Sequence, residues 1–482
     1  MTQLDISGGF YQSQSLPVSA QQLINAYVQT PETQGAFSDE IIIQTPGLVE
    51  EATTGDGVIN RNRGALQLSG IPYFVNGSGL FSLAENGTVS GPFGTIEGES
   101  NQRVSMSQNG TQLMILVPGG DGYIYVPSTD TFTQITDPDF TFIQPQFVTF
   151  IDGYFACSQA ENPKRWVISN LNDGLSWNAL DFGSAEANPD DIEAPWAFKD
   201  RLYAMGVSTF EPFSNIGGAD FPFQAVQGGV QTVGLTAPFS LVNGRNHFYW
   251  IGGGENEKPA IWRSQGDIPE RVSNPAIESL IQQFSTVQFE SVYATSRAFD
   301  GNFFVDFYFS DRALSLNEVN GRWQEIQSDD SASRIASVVE AYGNLYIGDT
   351  RSGIIGKIDS DLGTEYGENV NRTLATAPFA IDLNPFFLPT IELTMQTGGA
   401  TLEDPNPEVR LSISRDGGRT YGNERARSMG GVGEFNRRVQ WRSGNGVFDT
   451  TAVLKFEYSS SSKFIAIRLD ANIVQGTQRF SA

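Results

Sequence analysis

The chain has 482 residues, more than the roughly 100–200 of one ordinary domain, so two domains or a repeat-built body with an added module is expected. Its 55 acidic and 30 basic residues leave a net charge of −25, which excludes a wide basic footprint for nucleic-acid phosphates and disfavours adhesion to an anionic membrane. One cysteine, Cys157, and one histidine, His247, exclude an intrachain disulfide, multi-cysteine metal sites and any two-histidine metal motif.

Aromatics make up 12% of the chain, and 51 Gly with 23 Pro give the profile of many short strands and tight turns. No apolar run approaches 18 residues, and Met1 to Phe10 lacks a basic segment followed by an apolar one, so synthesis and folding in a cytoplasm are expected.

In chain order, Ser19 and Gln22 have capping-box spacing, and Ala20, Leu23, Ile24 and Tyr27 fall on one helical face, predicting a short helix over 19–28. Thr30 to Glu51, with Thr30-Pro31, Ile41-Ile42-Ile43 and Thr45-Pro46-Gly47, reads as an extended arm, and residues 1–60 as an N-terminal arm. A repeat follows: alternating apolar runs joined by Gly/Asn/Asp turns, at 65–83, 105–135, 147–180, 196–226, 239–272, 293–326 and 338–358. Asn109-Gly110, Asp152-Gly153, Asp300-Gly301 and Asn320-Gly321 are among its turns. Anchors spaced by about 40–50 residues match one four-stranded propeller blade each. The fold class expected is therefore all-β, a six- or seven-bladed β-propeller over 61–372, because the first and last partial copies could combine into one closing blade. Asn274-Pro275 opens a second helix, with Ile277, Leu280, Ile281 and Phe284 on one face.

Past Asn369 to Ala377 the pattern changes to a C-terminal β-sandwich-like module over 373–482. Its expected strands are 378–383, 389–396, 409–415, 435–441, 453–458 and 464–469. This module carries 12 Lys/Arg and 11 Asp/Glu, net +1, leaving −26 for residues 1–372.

Catalytic signals are absent. No Gly-x-Ser-x-Gly surrounds a serine, so His247 reads as a hydrogen-bonded or packed residue, and Cys157 in its apolar strand as a small core residue. Gly252-Gly253-Gly254 lacks the Lys-Ser/Thr of a phosphate loop and reads as a flexible loop. The pairs Asp190-Asp191 and Asp329-Asp330 lack calcium-loop spacing. No catalytic residue, metal or cofactor is expected.

Ser414 to Tyr421 resembles the Asp-box of sialidases and related propellers, with a degenerate copy at Asn172 to Trp177. In that motif Asp416, Gly417 and Tyr421 fold a hairpin tip: the carboxylate accepts backbone N–H bonds and the ring packs beneath. A sialidase would also need three converging arginines and a nucleophilic Tyr, which no subset of these residues supplies. Arg425, Arg427, Arg437, Arg438 and Arg442, flanking Phe435 and Trp441, form the most suggestive charged cluster. It reads either as an edge of exposed arginines or as an interface patch, since Arg and Trp are enriched at contacts.

Several segments together resemble the tail hub proteins of short-tailed bacteriophages, also called packaged-DNA stabilisation proteins or tail nozzles. They are Asn25 to Glu32 with Thr45 to Leu48, Gly266 to Ser285, Asp300 to Trp323, and Leu411 through Trp441 into Phe464 to Leu469, where Asp416-Gly417, Tyr421-Gly422, Arg437-Arg438 and Trp441 follow in order. The resemblance implies a structural virion protein assembled in the bacterial host as a homohexamer. It would sit beneath the portal and adaptor rings, close the DNA exit channel with a tail needle or plug, retain the packaged genome and border the tail spikes or fibres. Viral DNA would pass without sequence-specific binding, and the arginine-bearing module would be the docking surface. The alternative is a glycan-binding or glycan-cleaving propeller. The Gly-rich loops 252–259, 398–407 and 427–434 are expected to be mobile or ordered by partners.

Overall fold

The computed structural model describes residues 1–31, 38–55, 60–185, 190–218, 221–381, 384–442 and 445–476. Glu32 of the segments quoted above and Leu383, the end of the first expected sandwich strand, lie outside them.

Among the described residues, seven four-stranded antiparallel units form the propeller. Five are separate sheets, over 62–90, 105–134, 145–184, 192–225 and 242–271. The sixth, 293–328, is built into a larger sheet, and the seventh joins three strands from 335–359 to the strand Gly47–Thr53. Because side chains alternate along each strand, every sheet packs on two neighbours. Leu113 and Ile115 meet the first blade while Met114 and Leu116 meet the third. Seven hydrophobic clusters result, one per interface, and the last, with Phe74, Leu83, Tyr346 and Ile355, closes the ring between blades seven and one.

The first and last copies, which the sequence left open to combine into one closing blade, form separate blades. Gly47–Thr53, inside the segment read as an arm, pairs with Ile354–Asp359 over six residue pairs and completes the seventh blade.

The helix predicted over 19–28 is absent. Ala20–Ile24 and Ala26–Gln29 are strands, separated by Asn25 at φ +54. Ala20–Ile24 lies between Trp323–Ser328 of blade six and Arg372–Ala375 of the sandwich, and Ser19 Oγ donates to the Tyr11 carbonyl at 2.7 Å rather than capping a helix. The same apolar residues serve either period, and distant strand partners decide. The second helix forms, with Asn274 Oδ1 accepting from the Ile277 amide at 3.0 Å, but it ends at Ile281. A capping box at Ser285 then starts a second short helix, Thr286–Glu290.

Two sheets make the sandwich. One contains Phe386–Met395, Ile465–Gln475 and Val439–Arg442, extended by Ile41–Gln44 and Ala26–Gln29. The other contains Arg372–Ala375, Val453–Tyr458, Glu408–Ser414 and Arg425–Ser428, and runs through Ala20–Ile24 into blade six. Between them lie Leu393, Leu411, Trp441, Phe456 and Leu469. Of the expected strand 378–383, the described part makes only a bridge from Phe379 to Ala452. The first two glycines of Gly252-Gly253-Gly254 are locked rather than flexible. Both are buried, and a Cβ on Gly252 would lie 1.8 Å from the Gly234 carbonyl oxygen.

Candidate interface on the sandwich edge

The arginine cluster lies where the edges of the two sandwich sheets meet. Arg425–Ser428 is the last strand of one sheet and Val439–Arg442 the last of the other. Trp441 Nε1 donates to the Arg425 carbonyl at 2.7 Å and Arg427 Nε to the Gln440 carbonyl at 2.9 Å, joining the two edges. Period-two alternation sorts the side chains. Val439 and Trp441 point inward, and Trp441 is fully buried against Phe456, so it belongs to the core that supports the patch.

The arginines face outward with different attachments. Arg438 grips Glu392 through two bonds of 2.7 and 2.6 Å, which with Gln440 hold the Glu392 carboxyl below the usual range. Arg437 reaches Glu434 at 3.3 Å, Arg442 bonds the Gln440 side chain, and Arg425, whose pKa is lowered by burial and then by Arg427, bonds Asn445. Among the described residues, Arg437 and Arg438 pair with the carboxylates Glu434 and Glu392. Charged edge strands also resist unwanted strand pairing. Next to it the loops 398–407 and 427–434 pack on each other through the Gly433 amide and Gly398 carbonyl, exposing Leu402, Val432 and Phe435. Arg438 is exposed but the Glu392 side chain is mostly buried, and Arg438→Gln leaves that carboxylate with Gln440, so its melting midpoint should fall slightly below the parent's in a thermal scan at pH 7.

The Asp-box-like turn is built as its residue types require. Asp416 accepts from the Arg419 and Thr420 amides at 3.0 and 2.9 Å, and from the Ser414 and Thr420 hydroxyls at 2.7 and 2.6 Å. These bonds, led by Thr420, push its carboxyl far below the usual range. Gly417 has φ +73, and a Cβ there would press on Pro17. Burial pushes the Tyr421 phenol up to about 12. Asp416→Ala should cost about 1 kcal/mol, as loss of a local cap does. A depressed carboxyl stabilises above its unfolded pKa and loses that contribution as pH falls through the folded one. The gap in urea midpoint between Asp416→Asn and the parent should therefore be present at pH 7 and shrink below about pH 4.

His247 Nδ1 lies 2.5 Å from the Ser264 carbonyl oxygen, and Cys157 is buried, its thiol pushed up by desolvation. Asp190 accepts from the Ser208 and Thr209 amides and caps their turn. Among the described residues no three His, Cys, Asp or Glu side chains stand grouped to hold a metal ion.

The inner strands of all seven blades line a central cavity of about 560 Å³. Arg103, which sequence reasoning passed over, extends from blade two across it, its guanidinium carbon 3.9 Å from the Tyr293 ring centroid and 5.8 Å from that of Phe239 on the far wall. Arg63 and Arg372 were also missed. Both are buried and donate to backbone carbonyls, Arg63 to those of Gln102, Gly77 and Glu97.

Comparison with known proteins places this architecture. The family model described as bacteriophage P22 Gp10, beta-propeller, matches residues 2–363, and its companion, bacteriophage P22 Gp10, beta-sandwich, matches 371–474. The tail hub protein gp10 of Salmonella phage P22 is 21% identical over 310 residues, an alignment covering 61% of this chain and 63% of that protein's length. Among solved structures, the WD40 β-propeller domain of Doa1 is similar at 12% identity and TM-score 0.39, over 65% of this chain and 97% of that one. A chain of the S. cerevisiae dbp5 assembly with nup159 and gle1 is similar at 10% identity and TM-score 0.40, over 70% and 99%. With its propeller and its sandwich both matched, the chain belongs to the bacteriophage P22 Gp10 family, the tail hub proteins, structural components of the phage tail.

Proposed function

We propose that the protein is a non-enzymatic tail nozzle: a homohexameric ring beneath the portal and adaptor rings that surrounds the DNA exit path, retains the packaged genome and docks the tail needle and the spikes or fibres. The observation that carries this reading is the match of both family models to one chain, in the order propeller then sandwich. Physical features support it. The cavity inside each propeller is of small-molecule size and is crossed by Arg103, so a duplex would run through a hole between copies. Residues 1–372 carry −26, and six copies would place −156, six times that value, around such a hole. Like charge at short range limits adhesion of DNA that must later leave, even under physiological screening. The sandwich, near neutral with its arginine edge and exposed Leu402, Val432 and Phe435, is the docking surface in this reading. The glycan reading draws no group from the Asp416 turn, whose carboxylate is committed to its own backbone.

Light scattering with negative-stain imaging, at low and high salt and with the adaptor ring added, tests the ring. The expected result is six times the chain mass with a central hole. A monomer under every condition, the adaptor ring included, would overturn the proposal.

A further inference from the structure

Arg103 is an arginine without a counterion. Its guanidinium makes no hydrogen bond or ion pair with any described residue, and its Nε is out of reach of solvent with no partner. Asp191 and Glu193 line an adjoining cavity that shares Phe147 and Phe239 with the central one, yet neither pairs with Arg103. The phenols of Tyr293 and Tyr308 are its electrostatic neighbours, and burial lowers its pKa. Arg103 is half-buried, and a cation with one donor shut away from water is stabilised when an anion completes it. Arg63 donates to backbone carbonyls and Arg297 pairs with Asp306, whereas Arg103 has neither kind of partner among the described residues.

The rest of the cavity suits a ligand. Phe147, Phe239 and Trp196 supply apolar wall, and the Ser107 and Ser296 hydroxyls, half-buried, make no hydrogen bond within the described chain. A volume of about 560 Å³ lies within the range of small-molecule sites. We propose that the central cavity of the propeller binds a small organic anion, a carboxylate or phosphate group on an apolar or aromatic body. The oxygens would accept from the Arg103 guanidinium and the body would lie against Trp196 and Phe147. This site is independent of ring assembly, so it stands or falls separately from the nozzle reading.

The test titrates the full chain, in low-chloride buffer, with benzoate, phenyl phosphate and inorganic phosphate, and with benzyl alcohol as the neutral control. Calorimetry and tryptophan fluorescence provide the readout. Saturable one-to-one binding of benzoate or phenyl phosphate is expected, tighter than inorganic phosphate, with none for benzyl alcohol. Benzoate against phenyl phosphate separates the carboxylate from the phosphate source. Arg103→Met should weaken binding at least tenfold, since it removes a charge-assisted bond. If that variant does not fold, Arg103→Lys reads the same question, because lysine keeps the charge and loses the planar fork, and a several-fold loss is expected. No saturable binding of any of the three anions at millimolar concentration, or an affinity the Arg103 variants leave unchanged, would overturn the proposal and leave Arg103 a structural plug.

Discussion

Deleting residues 1–53 should abolish cooperative folding of the whole chain. The deletion removes Gly47–Thr53, leaving Ile354–Asp359 without its outer partner and breaking the closure of the ring. It also removes Ala20–Ile24, the strand between blade six and the sandwich, and Ala26–Gln29 with Ile41–Gln44 from the sandwich sheet that contains Phe386–Met395. Leu23, Val28, Ile42 and Leu48, all buried, go with them. A single substitution reports the packing of the Gly47–Thr53 strand alone. Leu48→Ala opens a void among Ile326, Ile335 and Ile347 at the contact of blades six and seven, and should cost about 2–4 kcal/mol. Urea unfolding followed by circular dichroism measures both. A truncated chain that still melts in one sharp transition would show that the first 53 residues decorate the fold rather than close it.

Arg297→Met is expected to destabilise by about 3–5 kcal/mol, a large effect for a substitution that conserves much of the side-chain volume. Arg297 donates to Asp306 at 2.6 Å, with the two side chains only 3% and 0% exposed. The Tyr308 hydroxyl, 3.4 Å from the same carboxylate, is a poor substitute for the cation. Without Arg297, Asp306 is a buried charge with no counterion. The pair itself is not ideal, since Arg297 Nη2 and Asp306 Oδ1 find no partner. Arg297→Met combined with Asp306→Leu should therefore recover most of the loss, because an apolar pair leaves nothing unsatisfied. Denaturant midpoints of the parent, both single variants and the double variant close the cycle. A double variant no more stable than Arg297→Met would refute this assignment of the cost.

Much of the propeller is legible in sequence because its turns are chemically marked. Asp152-Gly153 and Asp300-Gly301 both have positive φ at both residues, the conformation that two-residue hairpin turns demand and these residue types tolerate. Each marked turn fixes the register of two alternating strands. The N-terminal strands are not legible in this way. Asn25, which the helical pattern places mid-helix, instead sits at positive φ with its amide bonded to the Glu325 carbonyl and its side chain to the Asn371 carbonyl. Those partners are invisible in a local window, and they override an amphipathic pattern that fits either structure.

The arginine patch shows the same division. Its outward arginines follow from period-two spacing, and the same spacing assigns Trp441 to the core, although its place beside Arg442 suggested a contact residue. Arg103 carries no local signal at all. Nothing near Gln102-Arg103-Val104 announces that its guanidinium will cross a cavity to Tyr293, because only closure of the ring brings blades two and six face to face.

Electron cryomicroscopy of the assembled phage tail should show six copies around an axial hole, the acidic propellers facing the DNA path and the sandwich edge bearing Arg427, Arg438 and Arg442 turned toward other tail proteins. A tail in which this chain forms no ring, or in which DNA runs along the arginine edge, would contradict the nozzle proposal.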